Sequence, residues 1–435
     1  MIKLNLPSEL PKAADKRIAL RVTPAAERAL RQGHPWLFDQ AIIHQSHQGN
    51  AGDLAVIFDK KRRFLAIGLY DPEAMIRVRI LQHLKPASIN VDWFKARLEA
   101  ASQLRAPLSN SPPNKLTNAY RLVHGENDGV PGLIVDRYHD IAVIKIYTSA
   151  WIPHLKNVVS ALEDIFPFKS VVLRLGGGVK ENEYNLRDGM TLVGKQTDQP
   201  LTFHENGLQF EVDPVHGQKT GFFLDQRENR ARVEKLAKGK SVLNAFSYTG
   251  GFSVYAARGG AKFVVSLDAS KPALEAAVRN FNLNLPPPTP SVGQGENLLL
   301  PSERGRPGAG ASVHECVNGD AFEEMTQMKK KGHQFEMVII DPPSFAKKES
   351  QIEGAISAYK KLTRLGLSIL EPGGILVQAS CSSRVDAETF FGAVNQAAIQ
   401  VRRPLKEIER SGHALDHPVT FREGEYLKCL FAFAP

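Results

Sequence analysis

Acidic residues that end predicted strands are the first candidates for chemistry in this sequence. Asp341 follows an apolar run at residues 338–340 that is too short for a helix, and Pro342 and Pro343 stop further sheet pairing after it. Ligands of open α/β sheets bind at the carboxyl ends of the strands, so we expect Asp341 at such an edge. An Asp-Pro-Pro turn alone is weak support, because Asp and Pro are also ordinary turn formers.

Two further acids follow the same pattern on neighbouring predicted strands. Asp268 closes the strand at 262–267, where a carboxylate can accept both hydroxyls of a ribose, and Asp320 ends the next strand, where it could contact an adenine amino group. The glycine-bearing loop at 246–251 lacks the G-x-G-x-x-G pattern, so it is not suited to bind the pyrophosphate of a dinucleotide. Each acid alone is better explained as a turn or a helix cap. Three together favour an adenosyl ligand, for which S-adenosylmethionine is the natural candidate.

Cys381 is the candidate nucleophile. It follows the predicted strand at 375–379 and is flanked by serines, and we expect it at the same sheet edge as Asp341. Cys316 and Cys429 lie inside predicted strands, where a free cysteine usually serves as a small hydrophobic residue. Because the three cysteines form no C-x-x-C pair, we expect neither a disulfide framework nor a zinc site, and no other metal.

The composition is typical of a globular protein with several domains. At 435 residues the chain is too long for one compact core, and 43% hydrophobic and 23% charged residues are ordinary values for soluble proteins. No apolar run approaches the ~20 residues that span a bilayer, and the first residues lack the apolar core of a signal peptide, so we expect a cytoplasmic protein. The net charge of +9 favours a polyanionic partner such as nucleic acid.

Closely spaced short strands predict a small β-barrel over residues 17–88. The strands are expected at residues 18–22, 53–58, 64–70 and 76–81. The last of these places arginines on one face, and a basic turn lies at residues 60–63. This combination indicates contact with an RNA backbone about as strongly as it indicates a solvated surface.

A second, α+β domain is predicted over residues 89–200. It begins with a helix at 91–104, and a Pro-, Ser- and Asn-rich linker is expected at 106–115. A second helix is expected at 151–166 and a strand at 170–175.

Residues 201–435 alternate between strand and helix patterns, which predicts a parallel sheet with crossover helices. The first buried strand is expected at 241–245, and the last strand at 426–433. The stretch at 285–312 is dominated by Pro, Gly and Ser and cannot bury enough surface to offset its ordering entropy. We therefore predict a mobile insertion there.

Several motifs of this sequence belong together. The most specific is Lys-Thr-Gly-Phe-Phe-Leu-Asp-Gln-Arg at residues 219–227, and the others lie at 33–38, 125–132, 244–251, 341–345, 380–382 and 416–418. With these motifs the chain resembles, over nearly its whole length, the class I S-adenosylmethionine-dependent methyltransferases of the large-subunit ribosomal RNA (cytosine-5) family that carry an N-terminal PUA domain. The resemblance implies an α/β fold, in which a small β-barrel (PUA-like) domain and a small α+β domain precede a Rossmann-like class I methyltransferase sheet.

The resemblance also implies a reaction and its residues. The Cys381 thiolate would add to C6 of a cytosine, and Asp341 would hydrogen-bond the N3–N4 edge of the base. S-adenosylmethionine would be the cofactor, and large-subunit ribosomal RNA the partner, while a homodimer is left open. The residues implied to bind the cofactor are Thr220, Phe222, Gln226, Phe246, Tyr248, Thr249, Gly250, Asp268, Asp320 and Asp341.

One departure and two other functions stay open. Ser344 lies in the segment where many RNA cytosine-5 methyltransferases have a second cysteine, so the group that removes the C5 proton is not identified. Methylation of an exocyclic amine, such as guanine N2 or adenine N6, would use Asp341 and need no cysteine. An RNA-binding ribosome-assembly factor would retain only a vestigial cofactor site.

Overall fold

The computed structural model describes residues 5–7, 10–181, 183–196, 199–285 and 312–435. The chain divides into two compact units. Unit 1 combines the residues up to Gly207 with Val212–Leu224 and Leu415–Phe421, and unit 2 comprises Leu208–Glu211, Asp225–Ala414 and the residues from Arg422 onward. The insertion predicted at 285–312 falls on residues 286–311, which lie outside the described residues. No helix in the described ranges is long and apolar enough to cross a membrane.

The first part of unit 1 is a mixed sheet with a helix against it. Its elements are β1 Ile18–Val22, α1 Pro24–Arg31, β2 Trp36–Phe38, β3 Ile42–Gln45, β4 Leu54–Phe58, β5 Phe64–Tyr70 and β6 Ile76–His83. The strands lie in the order β2-β6-β5-β4-β1-β3, and β1 pairs with β4 in parallel. Alternate residues of β1, Ile18 and Leu20, enter the core of this sheet, because successive side chains of a strand point to opposite faces.

The second part of unit 1 is a sheet covered by two helices. Its elements are α2 Val91–Ser109, β7 Ala119–His124, β8 Leu133–Tyr138, β9 Ile141–Ile146, α3 Leu155–Ile165, β10 Ser170–Leu175 and β11 Met190–Gly194. The strand order is β11-β10-β9-β8-β7. Helix residues such as Leu98 and Val159 share one core with strand residues such as Ile144. The boundary predicted between the first two domains, at residues 88 and 89, stays a prediction.

The linker predicted at residues 106–115 is wrong in its first part, because α2 continues to Ser109. A proline inside a helix removes one backbone N–H, which leaves the carbonyl four residues earlier without its usual donor. Pro107 lies on the exposed face of α2, so water can replace that donor at Gln103, which is also exposed. The Asn110 N–H still reaches the Ala106 carbonyl at 3.0 Å, and the helix therefore passes through the proline.

The arginine face predicted for β6 is wrong for Arg79. Its side chain is buried, and desolvation lowers the pKa of the guanidinium while the nearby charges of Glu126 and Asp71 raise it. Glu126 also accepts a hydrogen bond from Trp36 Nε1 at 2.9 Å. Arg79 therefore helps to join the two sheets of unit 1, whereas Arg77 stays partly exposed.

A returning segment, Leu415–Phe421, completes unit 1. The Asp416 carboxylate is fully buried and accepts the Arg121 backbone N–H at 2.8 Å. Arg105 forms a two-pronged ion pair with Asp128, at 2.8 and 2.7 Å, and also donates to the Asp416 carbonyl at 2.9 Å. Arg105 and Arg121, which precede Asp416 by 311 and 295 residues, thus find hydrogen-bond acceptors in this segment.

Two strands, β12 Leu201–Glu205 and β13 Leu208–Val212, precede the large sheet in the chain. The elements that follow are α4 Arg227–Leu236, β14 Ser241–Ala245, α5 Gly251–Arg258, β15 Phe263–Asp268, α6 Lys271–Asn284, β16 Val313–Asn318, α7 Ala321–Lys330, β17 Phe335–Ile340, α8 Ile352–Ser368, β18 Leu370–Ser380, α9 Ala387–Gln400, β19 Lys406–Ser411 and β20 Lys428–Ala434. The sheet of unit 2 has the order β16-β15-β14-β17-β18-β20-β19.

The winding of this sheet reverses at β14. Strands β15 and β16 lie on one side of it and β17 and β18 on the other, all in parallel, whereas β20 is antiparallel to both of its neighbours. The predicted parallel sheet with crossover helices is confirmed. Because the loops after β14 and β17 leave the same edge side by side, this reversal creates the crevice in which such sheets bind ligands.

Candidate active site in unit 2

The loop after β14 has a strained backbone that its neighbours hold in place. Phe246 and Tyr248 have φ angles of 60° and 48°, a left-handed conformation that is costly for bulky residues and is concentrated at functional sites. The Tyr248 N–H donates to Asp268 Oδ2 at 2.8 Å, and Asn280 Nδ2 donates to the Thr249 carbonyl at 2.8 Å. The end of β15 and helix α6 therefore fix the conformation of this loop.

Gly250 allows the loop to enter α5 against α6. Its φ is 77°, and a Cβ at this position would lie 2.8 Å from Ala277 Cβ. Only glycine satisfies both the left-handed conformation and this close approach.

Buried hydroxyl groups in the same loop are left for a ligand. Ser247 Oγ and Thr249 Oγ1 are buried and have no hydrogen-bond partner within the described ranges. Buried polar atoms are nearly always paired, so these two indicate a polar ligand that completes the site. Asp268 Oδ1 accepts the Ser270 N–H at 2.8 Å, and a carboxylate oxygen has capacity for a second donor such as a ribose hydroxyl. These groups fit an adenosyl ligand with a polar tail.

A row of aromatic rings lines the edge from the loop after β14 to α8. The ring centroids of Phe246 and Phe322 are 6.4 Å apart, those of Phe322 and Phe345 are 6.5 Å apart, and those of Phe345 and Tyr359 are 5.3 Å apart. Aromatic rings supply a large apolar surface against which a flat base can pack. Phe246, Phe322 and Phe345 are partly buried and can present this apolar surface to a ligand, whereas Tyr359 is fully buried in the core.

Asp320 caps α7. Its Oδ1 accepts the N–H groups of Phe322 and Glu323 at 2.9 and 3.1 Å, and the residue is exposed. These contacts match the helix-cap explanation of this acid. The contact of Asp320 with adenine stays a prediction.

A chain of hydrogen bonds positions Asp341 at the end of β17. Gln226 Nε2 donates to Asp341 Oδ1 at 2.9 Å, and Gln226 Oε1 accepts from Asn229 Nδ2 at 2.5 Å. Asn229 Oδ1 in turn accepts from Ser411 Oγ at 2.5 Å. Gln226 thus orients the carboxylate with both ends of its amide engaged, and its implied contact with the cofactor stays a prediction.

Cys381 lies at the end of β18, beside the turn after β17. These two strands are parallel neighbours, so their carboxyl ends meet, and Cys381 Sγ is 3.8 Å from the Pro342 carbonyl oxygen. The structure therefore brings together the strand ends that carry Cys381 and Asp341. Burial raises the pKa of the Cys316 thiol to about 12 and that of Cys429 well above its usual range, so neither of these two thiols is suited to ionise.

The Ser382 hydroxyl ties the Cys381 strand end to the turn after β17. Its Oγ accepts the Phe345 N–H at 3.2 Å and lies 3.2 Å from Ser344 Oγ. Tyr359 Oη is 2.8 Å from the same oxygen, and burial raises the pKa of this phenol, so it stays neutral at physiological pH.

Thr220 and Phe222 lie in unit 1. The Thr220 hydroxyl donates to the buried Asp136 carboxylate at 2.5 Å, and Arg121 pairs with the same carboxylate at 2.8 and 2.9 Å. The Phe222 N–H donates to Tyr138 Oη at 3.2 Å. The implied contacts of both residues with the cofactor stay predictions.

Sequence reasoning missed Lys428. This lysine begins the otherwise apolar strand β20, is 2% exposed, and donates from Nζ to the Ser382 carbonyl at 2.7 Å. A charged residue in the first position of a buried apolar strand was the available signal. The signal is weak, because the apolar residues that follow Lys428 are those of any buried strand.

Comparisons with known proteins define the class. Residues 20–83 match the family described as a PUA-like domain, and residues 189–287 match the family described as an S-adenosylmethionine-dependent methyltransferase. A protein from Streptococcus mutans, described as a SAM-dependent methyltransferase, shares the fold with a TM-score of 0.76 at 24% identity over 95% of this chain and 99% of its own. A methyltransferase solved with S-adenosylhomocysteine gives the same values. This chain is a class I S-adenosylmethionine-dependent methyltransferase with a PUA-like N-terminal domain, and the expected fold and cofactor are confirmed.

Two bacterial relatives narrow the class to a family. The "Ribosomal RNA large subunit methyltransferase" of Deinococcus radiodurans is 45% identical over 425 residues, which are 97% of this chain and 98% of the relative. The "Ribosomal RNA large subunit methyltransferase I" of Photobacterium profundum is 38% identical over 405 residues, which are 92% and 96% of the two chains. The chain belongs to the ribosomal RNA large subunit methyltransferase family.

Proposed function

We propose that this protein methylates C5 of a cytosine in large-subunit ribosomal RNA, with Cys381 as the nucleophile and S-adenosylmethionine as the methyl donor. The observation that supports the proposal is the contact of Cys381 Sγ with the Pro342 carbonyl oxygen, 3.8 Å away, since Pro342 follows Asp341 directly in the chain. The two relatives are named for large-subunit ribosomal RNA, and a net charge of +9 suits an anionic substrate of this kind.

Cys381 would act as a thiolate, because a neutral cytosine ring is a poor electrophile that a thiol does not attack. The new bond between Sγ and C6 moves an electron pair onto C5. S-adenosylmethionine, when bound, supplies an electrophilic methyl group for that carbon. Loss of the C5 proton then returns the electron pair to the ring, breaks the bond between Sγ and C6, and regenerates the Cys381 thiolate.

Asp341 would recognise the base during this addition. A carboxylate held by Gln226 can accept a hydrogen bond from the N4 amino group and so hold the base in place as the adduct forms. A paired cytosine must first be turned out of its helix, at a cost of a few kcal/mol. In unit 2, the loop residues Phe246, Tyr248, Thr249 and Gly250 would hold the cofactor with Asp268.

The test is a map of 5-methylcytosine in ribosomal RNA from cells that lack this protein. We expect one cytosine of the large subunit to lose its methyl group in these cells. The wild-type protein and Cys316→Ala should restore it, whereas Cys381→Ala should leave it at background. Cys316→Ala is the matched control, because that thiol is held in its neutral form by burial.

The alternatives give different outcomes in the same cells. Restoration by Cys381→Ala would contradict the covalent route and favour methylation of an exocyclic amine, for which Asp341 needs no cysteine. Unchanged methylation of all bases, together with no binding of radiolabelled S-adenosylmethionine at millimolar concentration, would favour a ribosome-assembly factor.

A further inference from the structure

Lys428 is a buried cation directly opposite the strand end that carries Cys381. Strand β20 runs antiparallel to β18, and its register places Lys428 opposite Ser380, the residue before the cysteine. Lys428 is 2% exposed, and its Nζ donates to the Ser382 carbonyl at 2.7 Å and to the Tyr426 carbonyl at 3.0 Å. The ammonium is therefore held in one position next to the residues on both sides of Cys381.

The two carbonyl acceptors are neutral and do not balance the charge of Lys428. Burial of an ammonium group without an opposite charge is costly, and desolvation here lowers the pKa of Lys428 to about 8. Three groups oppose this effect and raise the pKa: Cys381 contributes most, followed by Glu425 and Asp386. The structure records no salt bridge between Lys428 and a carboxylate of the described residues, so an ionised Cys381 would be the main counter-charge of this ammonium.

We infer that Lys428 is a positioning residue for the reaction, the fixed cation that keeps Cys381 in its thiolate form. This inference rests on the proposed function, which needs the thiolate. The interaction between two charges is mutual, so an ammonium that is stabilised by the thiolate stabilises the thiolate by the same free energy. The effect is present below about pH 8, where Lys428 is protonated, and fades at higher pH.

The other ionisable groups around Cys381 do not replace this cation. Asp341 is negative and opposes a second negative charge nearby. The pKa of Tyr359 is raised by burial and also by the charges of Cys381 and Asp341, so its phenol stays neutral. Asp386 and Glu425 are also negative. Arg422 is a second cation near Asp386, but it is exposed, whereas Lys428 is buried and donates to the Ser382 carbonyl. Removing the charge of Lys428 should therefore change the protonation of Cys381.

The test is the pH profile of Cys381 alkylation by iodoacetamide in the full chain, followed on the Cys381 peptide by mass spectrometry. Two variants are compared with the wild type. Lys428→Gln keeps N–H donors for the carbonyl groups but removes the charge, and Lys428→Arg keeps the charge. We expect the midpoint to rise by about one pH unit or more in Lys428→Gln, so that alkylation at pH 7 slows about tenfold. The midpoint of Lys428→Arg should stay closer to that of the wild type.

Methyl transfer gives a second measurement of the same effect. In Lys428→Gln the kcat should fall at pH 7 and recover toward pH 9, while the KM for ribosomal RNA is unchanged. A loss of activity that is independent of pH would show that Lys428 only supports the fold, and would overturn the inference.

Two alkylation outcomes would also overturn it. One is a wild-type midpoint in Lys428→Gln, and the other is a wild-type Cys381 that titrates at or above about 8.5, the value of an ordinary cysteine. The latter measurement needs no variant and stands even if Lys428→Gln does not fold. Because alkylation requires no methyl transfer, failure of the proposed function is seen separately, as cytosine methylation that persists in Cys381→Ala.

Discussion

Gln226 shows how a single amide can link a sequence motif to the carboxylate proposed to recognise the base. It belongs to the long motif at residues 219–227, which by resemblance would bind the cofactor. In the structure its amide lies between Asn229 and Asp341, and the chain of hydrogen bonds ends at Ser411 on β19. The contacts therefore suggest that Gln226 orients the acid, and this role can be separated from cofactor binding by experiment.

Gln226→Leu should slow methyl transfer about tenfold, because Asp341 loses a hydrogen bond to a charged group that is worth about 1.5–3 kcal/mol. The dissociation constant for S-adenosylmethionine should change less than about twofold. Isothermal titration with the cofactor and single-turnover kinetics with ribosomal RNA measure the two quantities.

Ser411→Ala is the control for this prediction. It removes the last hydrogen bond of the same chain and leaves Gln226 in contact with Asp341, so a smaller effect in the same direction is expected. If Gln226→Leu instead weakened cofactor binding and left the rate intact, the orienting role would be wrong and the resemblance right.

At the scale of residues, the sequence predicted which strand ends would meet but not what surrounds them. Cys381 and Asp341 could be placed at one edge because the carboxyl ends of parallel neighbours lie together. The bonds of Ser382 to Tyr359, and the position of Lys428, depend on helix packing and on the register between β18 and β20. Neither the packing nor the register can be derived from a single strand or helix pattern.

The loop after β14 packs closely against helix α6. Gly250 directly precedes α5, with a φ of 77°, and the absence of a side chain lets it approach Ala277 on α6. The strained Phe246 and Tyr248 precede it in the same loop. A substitution at Gly250 should therefore shift the backbone of the loop residues that are proposed to hold the cofactor.

Gly250→Ala should lower the free energy of unfolding by about 1–3 kcal/mol, because the new methyl group would lie 2.8 Å from Ala277 Cβ in a backbone conformation that disfavours alanine. Affinity for S-adenosylmethionine should fall about tenfold or more. Urea unfolding and cofactor titration measure the two effects.

Gly354→Ala is the matched control within unit 2. Gly354 lies in α8, and a Cβ there meets no atom within 4 Å, so the substitution should be neutral or slightly stabilising. Equal stability of the Gly250→Ala protein and the wild type would contradict the role assigned to this glycine.

Whole elements were predicted best where the sequence pattern was strong. Strands β10 and β14 were placed to the residue, since their apolar runs have clear ends. Helix α9 and strand β19 were not predicted at all, although Asp386 is an N-cap signal for the helix. Strand β19 is mostly charged and exposed, so its partner β20 rather than its own composition determines its conformation.

At the scale of the whole molecule, the returning segment Leu415–Phe421 is needed by buried groups of unit 1. Asp416 accepts the Arg121 backbone N–H, and its carbonyl accepts from Arg105. These contacts are long-range in sequence, and the Asp-His-Pro motif at residues 416–418 indicated a family but not this role.

Asp416→Ala should lower the free energy of unfolding of unit 1 by about 1–3 kcal/mol, because it removes the buried carboxylate that accepts the Arg121 N–H. Hydrogen exchange of the peptide that contains the Arg121 amide should accelerate by at least tenfold. Mass spectrometry of exchanged peptides measures the change, and peptides of the β14–β18 sheet serve as an internal reference.

Asp416→Asn separates the hydrogen bond from the rest of the residue. An amide oxygen can still accept the Arg121 N–H, so this variant should exchange more slowly than Asp416→Ala. Equal protection of the Arg121 peptide in the wild type and Asp416→Ala would show that the returning segment does not stabilise unit 1.

The returning segment has a consequence for how this enzyme can be inherited. A gene fragment that ends before residue 415 would encode the whole PUA-like region. It would omit the returning segment, which accepts hydrogen bonds from Arg105 and Arg121 in unit 1. Recombination that exchanges only the 5′ part of the gene would therefore combine Arg105 and Arg121 from one parent with Asp416 from the other. Lineages should consequently pass on the two ends of this gene together, and natural chimaeras should carry both ends from the same parent.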